Sequence, residues 1–372
     1  MQATSGVLEN ALQQAKSRLD SQISTSEIEE KARFIVRCST KSGIRAVLAC
    51  ALAKVEDPSI DIRKPYTEIG SRDSYSGRSI DERVVGPFRM NHDLPGNQTT
   101  AWLTPAFRTN SDTLKRGTRL GGSPPKLYKT VIDLLNDVHE GKISAKETLV
   151  LMLREMLSLK YERENRLEEM IEEVGDSDEK IPLSSEEIVS LLKQHLASPK
   201  SSRLPVLVVA AAYQAAKENL GKHIKSLYSH NAPDAQTGAL GDVEVTLHNS
   251  EGIVTSYEMK GKEVKKEDID IAITKISNYE GSIDNYIFIT TESIDPDVKE
   301  YADSLYRKLG GIEIAILDCI GFIRHFLHLF HRLRVDFLDA YQDLVLNEPD
   351  TNVSHALKEV FLSSRRVAES EE

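Results

Sequence analysis

The stretch from Gly241 to Lys260 constrains this chain more than any other. Two runs of alternating apolar and polar residues, Gly241 to His248 and Gly252 to Lys260, are separated only by Asn249, Ser250 and Glu251, a spacing that reads as a β-hairpin. With His248 opposite Gly252, Val243 faces Tyr257, Glu244 faces Ser256 and Asp242 faces Glu258. Side chains alternate across a sheet. One face therefore carries Val243, Val245, Leu247, Ile253, Thr255, Tyr257 and Met259. The other carries Asp242, Glu244, Thr246, His248, Val254, Ser256, Glu258 and Lys260. The first is read as core and the second as chemistry or water. Opposed carboxylates weaken a strand pair by roughly a few tenths of a kcal/mol or more, and a divalent cation between them reverses that sign. Mg²⁺ is commonly held by one or two carboxylates plus waters and phosphate oxygens. Lys260 points to the same side, where an ammonium orients a water or offsets developing negative charge.

An Asp followed by Glu-x-Lys on neighbouring strands resembles the PD-(D/E)XK nuclease site. An ordinary amphipathic hairpin with a solvated polar face is the competing reading, and Glu-x-Lys alone carries almost no information. The surroundings weigh against it. A helical pattern runs over 205–229 before the hairpin; a helix at 266–279, a strand at 285–291, a helix at 296–309 and a strand at 313–319 follow. That order is the core of the fold the site resembles, so the fold class is α/β (α+β) with a PD-(D/E)XK restriction-endonuclease-like core. The resemblance assigns Asp242, Glu258 and Lys260 to catalysis, and Asp242, Glu258 and the backbone carbonyl of Met259 to the metal, with Glu244 or Glu218 as further candidates. The literal Pro-Asp is Pro233-Asp234, in a loop. Because Asp242 is the one opposite Glu258, it is taken as the ligand and Asp234 as the reserve.

At 372 residues the chain can form two domains, expected at 1–200 and 203–372 around the linker Ser198-Pro199-Lys200-Ser201-Ser202. No apolar run approaches the length of a membrane span and no signal-peptide pattern opens the chain, so a cytoplasmic protein is expected. Cys38, Cys50 and Cys319 lack metal spacing and read as reduced core residues. The net charge of −11 argues at first against a nucleic-acid partner. The charge is segregated, however: residues 161–180 sum to −6 and residues 101–130 to +5, and local fields outweigh the total.

The N-terminal domain is expected to be mainly helical. Helices are read at 6–21, from the capping pattern Ser24-Thr25-Ser26-Glu27 to Arg37, and at 42–55. Residues 61–123 lose helical periodicity and gain Gly and Arg, which suggests loops with two or three small strands. Arg, Asn and Gln make bidentate contacts to guanine and adenine edges. Arg72, Arg78, Arg83, Asn97, Gln98, Lys115, Arg116 and Arg119 are accordingly the candidate DNA contacts, against the alternative that many of these cations pair with Asp73, Asp81, Glu82 and Asp93. Arg63-Lys64-Pro65-Tyr66-Thr67-Glu68-Ile69-Gly70, Ser74-Tyr75-Ser76-Gly77-Arg78-Ser79-Ile80-Asp81-Glu82-Arg83 and Leu94-Pro95-Gly96-Asn97-Gln98-Thr99-Thr100-Ala101 resemble the N-terminal half of SacI-family type II restriction endonucleases. The resemblance implies Mg²⁺-dependent cleavage of double-stranded DNA at a short palindrome by a homodimer, with GAGCTC the first site to test. A DNA methyltransferase is then expected from a neighbouring gene, as the other half of a restriction-modification system.

Farther on, a helix begins at Pro124-Pro125. Ser144-Ala145-Lys146-Glu147 opens a long helix to about Val174 whose acidic end reads as a solvated face, and another helix runs over 184–196. A long apolar helix is expected over 320–347, its His325, His328 and His331 read as packing or phosphate contacts rather than as metal ligands, and the last residues, 365–372, are expected to fray. Two rival functions remain: a structure-specific repair or recombination nuclease on the same core, and a DNA-binding module whose hairpin is only structural.

Overall fold

The computed structural model describes residues 2–19, 26–108, 110–175, 181–227, 239–248 and 252–370. The expected hairpin loop (Asn249, Ser250, Glu251) and Asp234 lie outside them. The chain forms two compact units, residues 1–166 and 167–372. The division thus falls within the Ala145–Gly175 helix, not at the expected linker. Residues 197–203 instead join two helices, Ser185–Leu196 and Leu204–Ala215, whose Leu192, Leu196, Leu204 and Val208 enter one core.

In the first unit, helices Gln2–Ser17, Glu27–Arg37, Ser42–Glu56 and Pro125–His139 and the start of Ala145–Gly175 enclose a common core. The second helix is capped by Ser26, whose hydroxyl accepts from Glu29 N–H; Ser24 of the expected capping pattern lies outside the described residues. Ser144 caps the long helix as its spacing predicts, accepting from Glu147 N–H at 3.0 Å. The small strands expected in 61–123 are absent among its described residues. Short helical turns stand there instead, at Thr67–Ile69, Gly77–Ile80, Asp81–Val85, Gly86–Asn91 and Ala101–Leu103. Tyr66, Phe88, Trp102 and Phe107 bury themselves in the core and pin these turns from inside. At Gly77 a Cβ would lie 2.4 Å from the Trp102 ring, so only glycine lets the turn pack this close.

The second unit is built on a five-stranded sheet ordered β1 (Lys222–Ile224), β2 (Val243–Leu247), β3 (Ile253–Lys260), β4 (Asn285–Thr290) and β5 (Glu313–Asp318). β1, β2 and β3 pair antiparallel; β3, β4 and β5 pair parallel. The expected helix over 205–229 is thus too long. It ends at Leu220 because Gly221 takes a left-handed conformation (φ 58°), and β1 follows at once.

The hairpin register holds for Val243 with Tyr257, Glu244 with Ser256 and Val245 with Thr255, then shifts so that Thr246 pairs with Ile253. This bulge exchanges the expected faces of Ile253 and Val254. Both faces of the sheet are covered. Val243, Val245, Tyr257 and Ile289 meet helices Leu204–Ala215, Cys319–Leu329 and Arg334–Asn347. Ile253, Tyr286, Phe288, Ile314 and Ile316 meet Lys266–Ser277 and Pro296–Asp303. The face read as chemistry or water is therefore largely core, and polar groups collect where the strands end.

The single helix expected over 320–347 is interrupted at Phe330, between Cys319–Leu329 and the turn His331–Leu333. The C-terminal residues do not fray at 365: His355–Ser370 is helical, Phe361 and Leu362 are buried, and Arg365 pairs with Asp339 and Glu369. Cys50 and Cys319 are buried and Cys38 half-buried, all as free thiols. No helix among the described residues is long and apolar enough to cross a membrane.

Candidate nuclease site

Gly241 does most to position the first carboxylate. A Cβ there would fall 2.5 Å from Ser256 Oγ and from the Tyr257 carbonyl oxygen, so the absent side chain lets the segment entering β2 lie directly on β3. One residue later, Asp242 Oδ2 accepts the Met259 N–H at 2.7 Å. Asp242 therefore sits beside the Glu258–Met259 step, as the register requires. The N–H and C=O of a strand residue point to the same side, so the Met259 carbonyl is directed to the edge that Asp242 occupies.

Glu258 is tightly engaged. Its Oε1 lies 3.3 Å from Lys260 Nζ, while its Oε2 accepts from Lys275 Nζ at 3.0 Å and lies 2.9 Å from the Tyr286 hydroxyl. That hydroxyl is also 2.9 Å from the Leu240 carbonyl oxygen, and its one proton serves one acceptor at a time. Lys260 Nζ is 3.1 Å from Asp268 Oδ1 as well. Burial raises the Asp268 pKa, but the Lys265 backbone N–H and the Lys260 ammonium outweigh it and hold the carboxyl below its ordinary value. Asp242, Glu258 and Lys260 lie toward the carboxyl end of β3, where open α/β sheets place their ligand crevices, while Tyr286 reaches Glu258 from nearer the start of β4.

Asp242, Glu258 and Lys260 are thus brought together by the hairpin. The two further acids are not. Glu244 turns its Oε1 to the Leu240 N–H (2.8 Å) and its Oε2 toward Lys225 (3.5 Å), so it braces the turn entering β2 instead of serving a metal. Glu218 is exposed on Lys217–Leu220, which leads into Lys222 opposite Leu247. At about 3.3 Å per residue, that end of β2 is some 17 Å from Asp242, too far for a shared ion.

Lys275, Asp268 and Tyr286 were not singled out in the sequence. The period-2 pattern carries the missing signal: Tyr286 pairs with Ser256 and Phe288 with Glu258, on one face. Lys275 lies on the helix that covers that face.

Among the described residues no three His, Cys, Asp or Glu side chains converge as a metal cage. The donors where β2 and β3 meet at one end of the sheet, two carboxylates and a backbone carbonyl, nevertheless suit Mg²⁺, which takes one or two protein carboxylates and keeps waters or phosphate oxygens for the rest. The histidines of the later helices are exposed rather than packed: His328 Nε2 is 3.0 Å from Glu186 Oε1 and His331 Nδ1 is 3.0 Å from Ser185 Oγ.

Among the candidate DNA contacts, Arg72, Arg83, Lys115 and Arg119 are exposed. Arg78 is exposed but paired with Glu82 at 2.7 Å. Arg116 is committed to Asp133, Asp137 and Glu140, and with Lys142 it lowers the Glu140 carboxyl to about 2, which marks it as a fold element rather than a DNA contact. Buried Arg45 binds Asp81 at 2.7 Å and donates to the carbonyl oxygens of Asn97, Gln98 and Thr99, while Asp81 accepts the Ala101 N–H. This leaves Gln98 exposed. The Asn97 Oδ1 is buried without a hydrogen-bond partner, so it does not face solvent as a base reader would.

No curated protein matches the chain in a sequence search. Residues 180–291 match the family model described as the SacI restriction endonuclease C-terminal domain, a span that takes in β1 to β4 together with Asp242, Glu258, Lys260, Lys275 and Tyr286, and that supports a SacI-like restriction endonuclease acting on DNA.

Proposed function

We propose that the protein is a type II restriction endonuclease with a PD-(D/E)XK core that hydrolyses both strands of a short palindrome with Mg²⁺, as a homodimer, with GAGCTC the first site to test. The observation that carries this reading is the meeting of Asp242 with Glu258-Met259-Lys260 at one end of the mixed sheet, inside the span that resembles a SacI nuclease domain. Asp242, one oxygen of Glu258 and the Met259 carbonyl would hold the ion. Bound there, Mg²⁺ supplies a Lewis acid for the scissile phosphate and lowers the pKa of a water. Lys260, tethered between Glu258 and Asp268, orients the attacking water and offsets charge that grows on the phosphoryl oxygens. Residues 61–123 supply the sequence reading, through Arg72, Arg83, Gln98 and their exposed neighbours, and a homodimer matches two-fold symmetric DNA. The host genome would need a partner methyltransferase.

Plasmids with and without GAGCTC, incubated with the protein and Mg²⁺, test the proposal. Discrete fragments from the first plasmid alone support both the activity and the site. Discrete fragments from both would move the recognition sequence elsewhere, and a smear, nicking only at branched structures or no product would overturn the type II reading. Ca²⁺ in place of Mg²⁺ is expected to preserve binding and stop cleavage, because the larger ion accepts an irregular oxygen shell. Full cleavage in excess chelator would remove the metal from the mechanism.

A further inference from the structure

Glu258 lies between the ammonium groups of Lys260 and Lys275. Both its oxygens are engaged, one by Lys260 and the other by Lys275 and the Tyr286 hydroxyl. A divalent ion at Asp242 and Glu258 must share or displace one of these partners, since a carboxylate oxygen cannot accept two cations along one direction at full strength. Lys260 has a second carboxylate, Asp268, to hold it. Lys275 reaches Glu258 from Lys266–Ser277, a helix fixed to the sheet by Ile269, Ala272 and Ile276, so its ammonium is delivered to Oε2 by a rigid element.

We infer that Lys275 is an internal counter-cation: its ammonium occupies Glu258 in the metal-free protein and yields that carboxylate when the divalent ion enters, making Lys275 a positioning residue that sets metal affinity. The inference rests on the reading of Asp242 and Glu258 as metal ligands. The charges give its direction. Asp242, Glu258 and Asp268 bring three carboxylates to the site, against the ammonium groups of Lys260 on Glu258 and Asp268, of Lys275 on Glu258, and of Lys262 acting on Asp268. Removing Lys275 makes the pocket more negative and takes away the competitor for Oε2, and both changes favour a divalent ion. The metal-free enzyme meanwhile loses the pair that holds Glu258 in place, so tighter binding comes at the expense of a preset geometry. A purely structural Lys275 would behave differently: its loss would loosen Glu258 and weaken the ion.

Mn²⁺ binding to the full-length protein without DNA, read from the loss of the free-ion paramagnetic resonance signal, separates these cases. In the wild type a bound population is expected that disappears in Asp242→Asn and Glu258→Gln. Lys275→Met keeps the stem and removes the charge; it should bind this Mn²⁺ on the order of tenfold more tightly. Lys275→Gln should tighten it in the same direction, and Lys275→Arg should restore wild-type affinity. Circular dichroism and thermal unfolding establish that each variant is folded, and the Gln variant stands in should the Met variant fail. Unchanged or weaker binding in the folded, neutral variants, with the wild-type population still dependent on Asp242 and Glu258, overturns the inference and leaves the nuclease reading intact. Bound Mn²⁺ indifferent to Asp242→Asn and Glu258→Gln would remove that reading, and the inference with it.

Discussion

Glu258 joins the two halves of the candidate site, since Asp242 lies beside its strand step while Lys260, Lys275 and Tyr286 converge on its oxygens. Asp242→Ala and Glu258→Ala are expected to lose cleavage and keep specific DNA binding, because they remove the proposed ion ligands and leave the hydrophobic faces untouched. Lys260→Ala is expected to lower the cleavage rate by about 10²–10³-fold, the scale for losing one group that stabilises developing charge. Single-turnover cleavage beside a binding titration measures both. Wild-type cleavage by Asp242→Ala together with a dead Asp234→Ala would transfer the ligand role to Asp234. His195 supplies a pH prediction. It is buried between Tyr341 and the Leu357 carbonyl oxygen, and burial lowers its pKa to about 4. The unfolded chain therefore binds this proton more readily than the folded one. The stabilisation is complete above the ordinary value near 6.5 and is lost as pH falls from there toward 4, by about 3 kcal/mol in all. Urea unfolding at pH 7 and pH 4.5 should show a smaller acid loss in His195→Gln than in wild type; equal losses would place the titration elsewhere.

The elements show how the carboxylates come to meet. β2 starts after a glycine, and the Glu244 carboxylate and Tyr286 hydroxyl hold the Leu240 N–H and C=O just before it. Gly241→Ala would drive a Cβ to 2.5 Å from a backbone carbonyl that cannot rotate away. It should cost about 1–3 kcal/mol, the usual penalty of overpacking, and reduce cleavage beyond what the stability loss explains, because Asp242 shifts with the turn. Unaltered melting and cleavage would show that the close approach is not needed. The hairpin register over Val243–Val245 was legible because a period-2 pattern on both arms fixes the face of every residue. The bulge at Thr246 and Ile253 was not, because an inserted residue leaves no mark in the alternation until the partner strand is known. β1 was missed for a related reason. Lys222-His223-Ile224 is too short and too polar to read as a strand, and pairing with β2 alone makes it one.

At the scale of the whole molecule, charge is unevenly used, since the exposed cations of residues 61–123 stand apart from those that the fold consumes, and on the proposed function the exposed ones are the DNA contacts. Arg72→Ala and Arg83→Ala are each expected to cost about 1–3 kcal/mol of specific DNA binding, the value of one bidentate base contact, with little change in non-specific binding. Lys115→Ala should weaken both together and reduce the salt slope by about one unit, as a phosphate contact does. Fluorescence anisotropy over a salt series distinguishes the two patterns, and equal effects on both kinds of DNA for every variant would place the reader outside this stretch. Arg116→Ala should instead destabilise the first unit, because buried Asp137 would lose one of its cations. By itself, the sequence determined the hairpin, the order of helices and strands that follow it, the shared side of Asp242, Glu258 and Lys260, and the Ser144 cap, because alternation, capping and turn chemistry act over a few neighbouring residues. Only the tertiary structure decided that both sheet faces are buried, that Glu244 braces a turn while Lys275 and Tyr286 serve Glu258, and which arginines remain free. Those outcomes depend on groups such as Arg116 and Asp137, or Glu258 and Tyr286, that meet only when distant parts of the chain pack together.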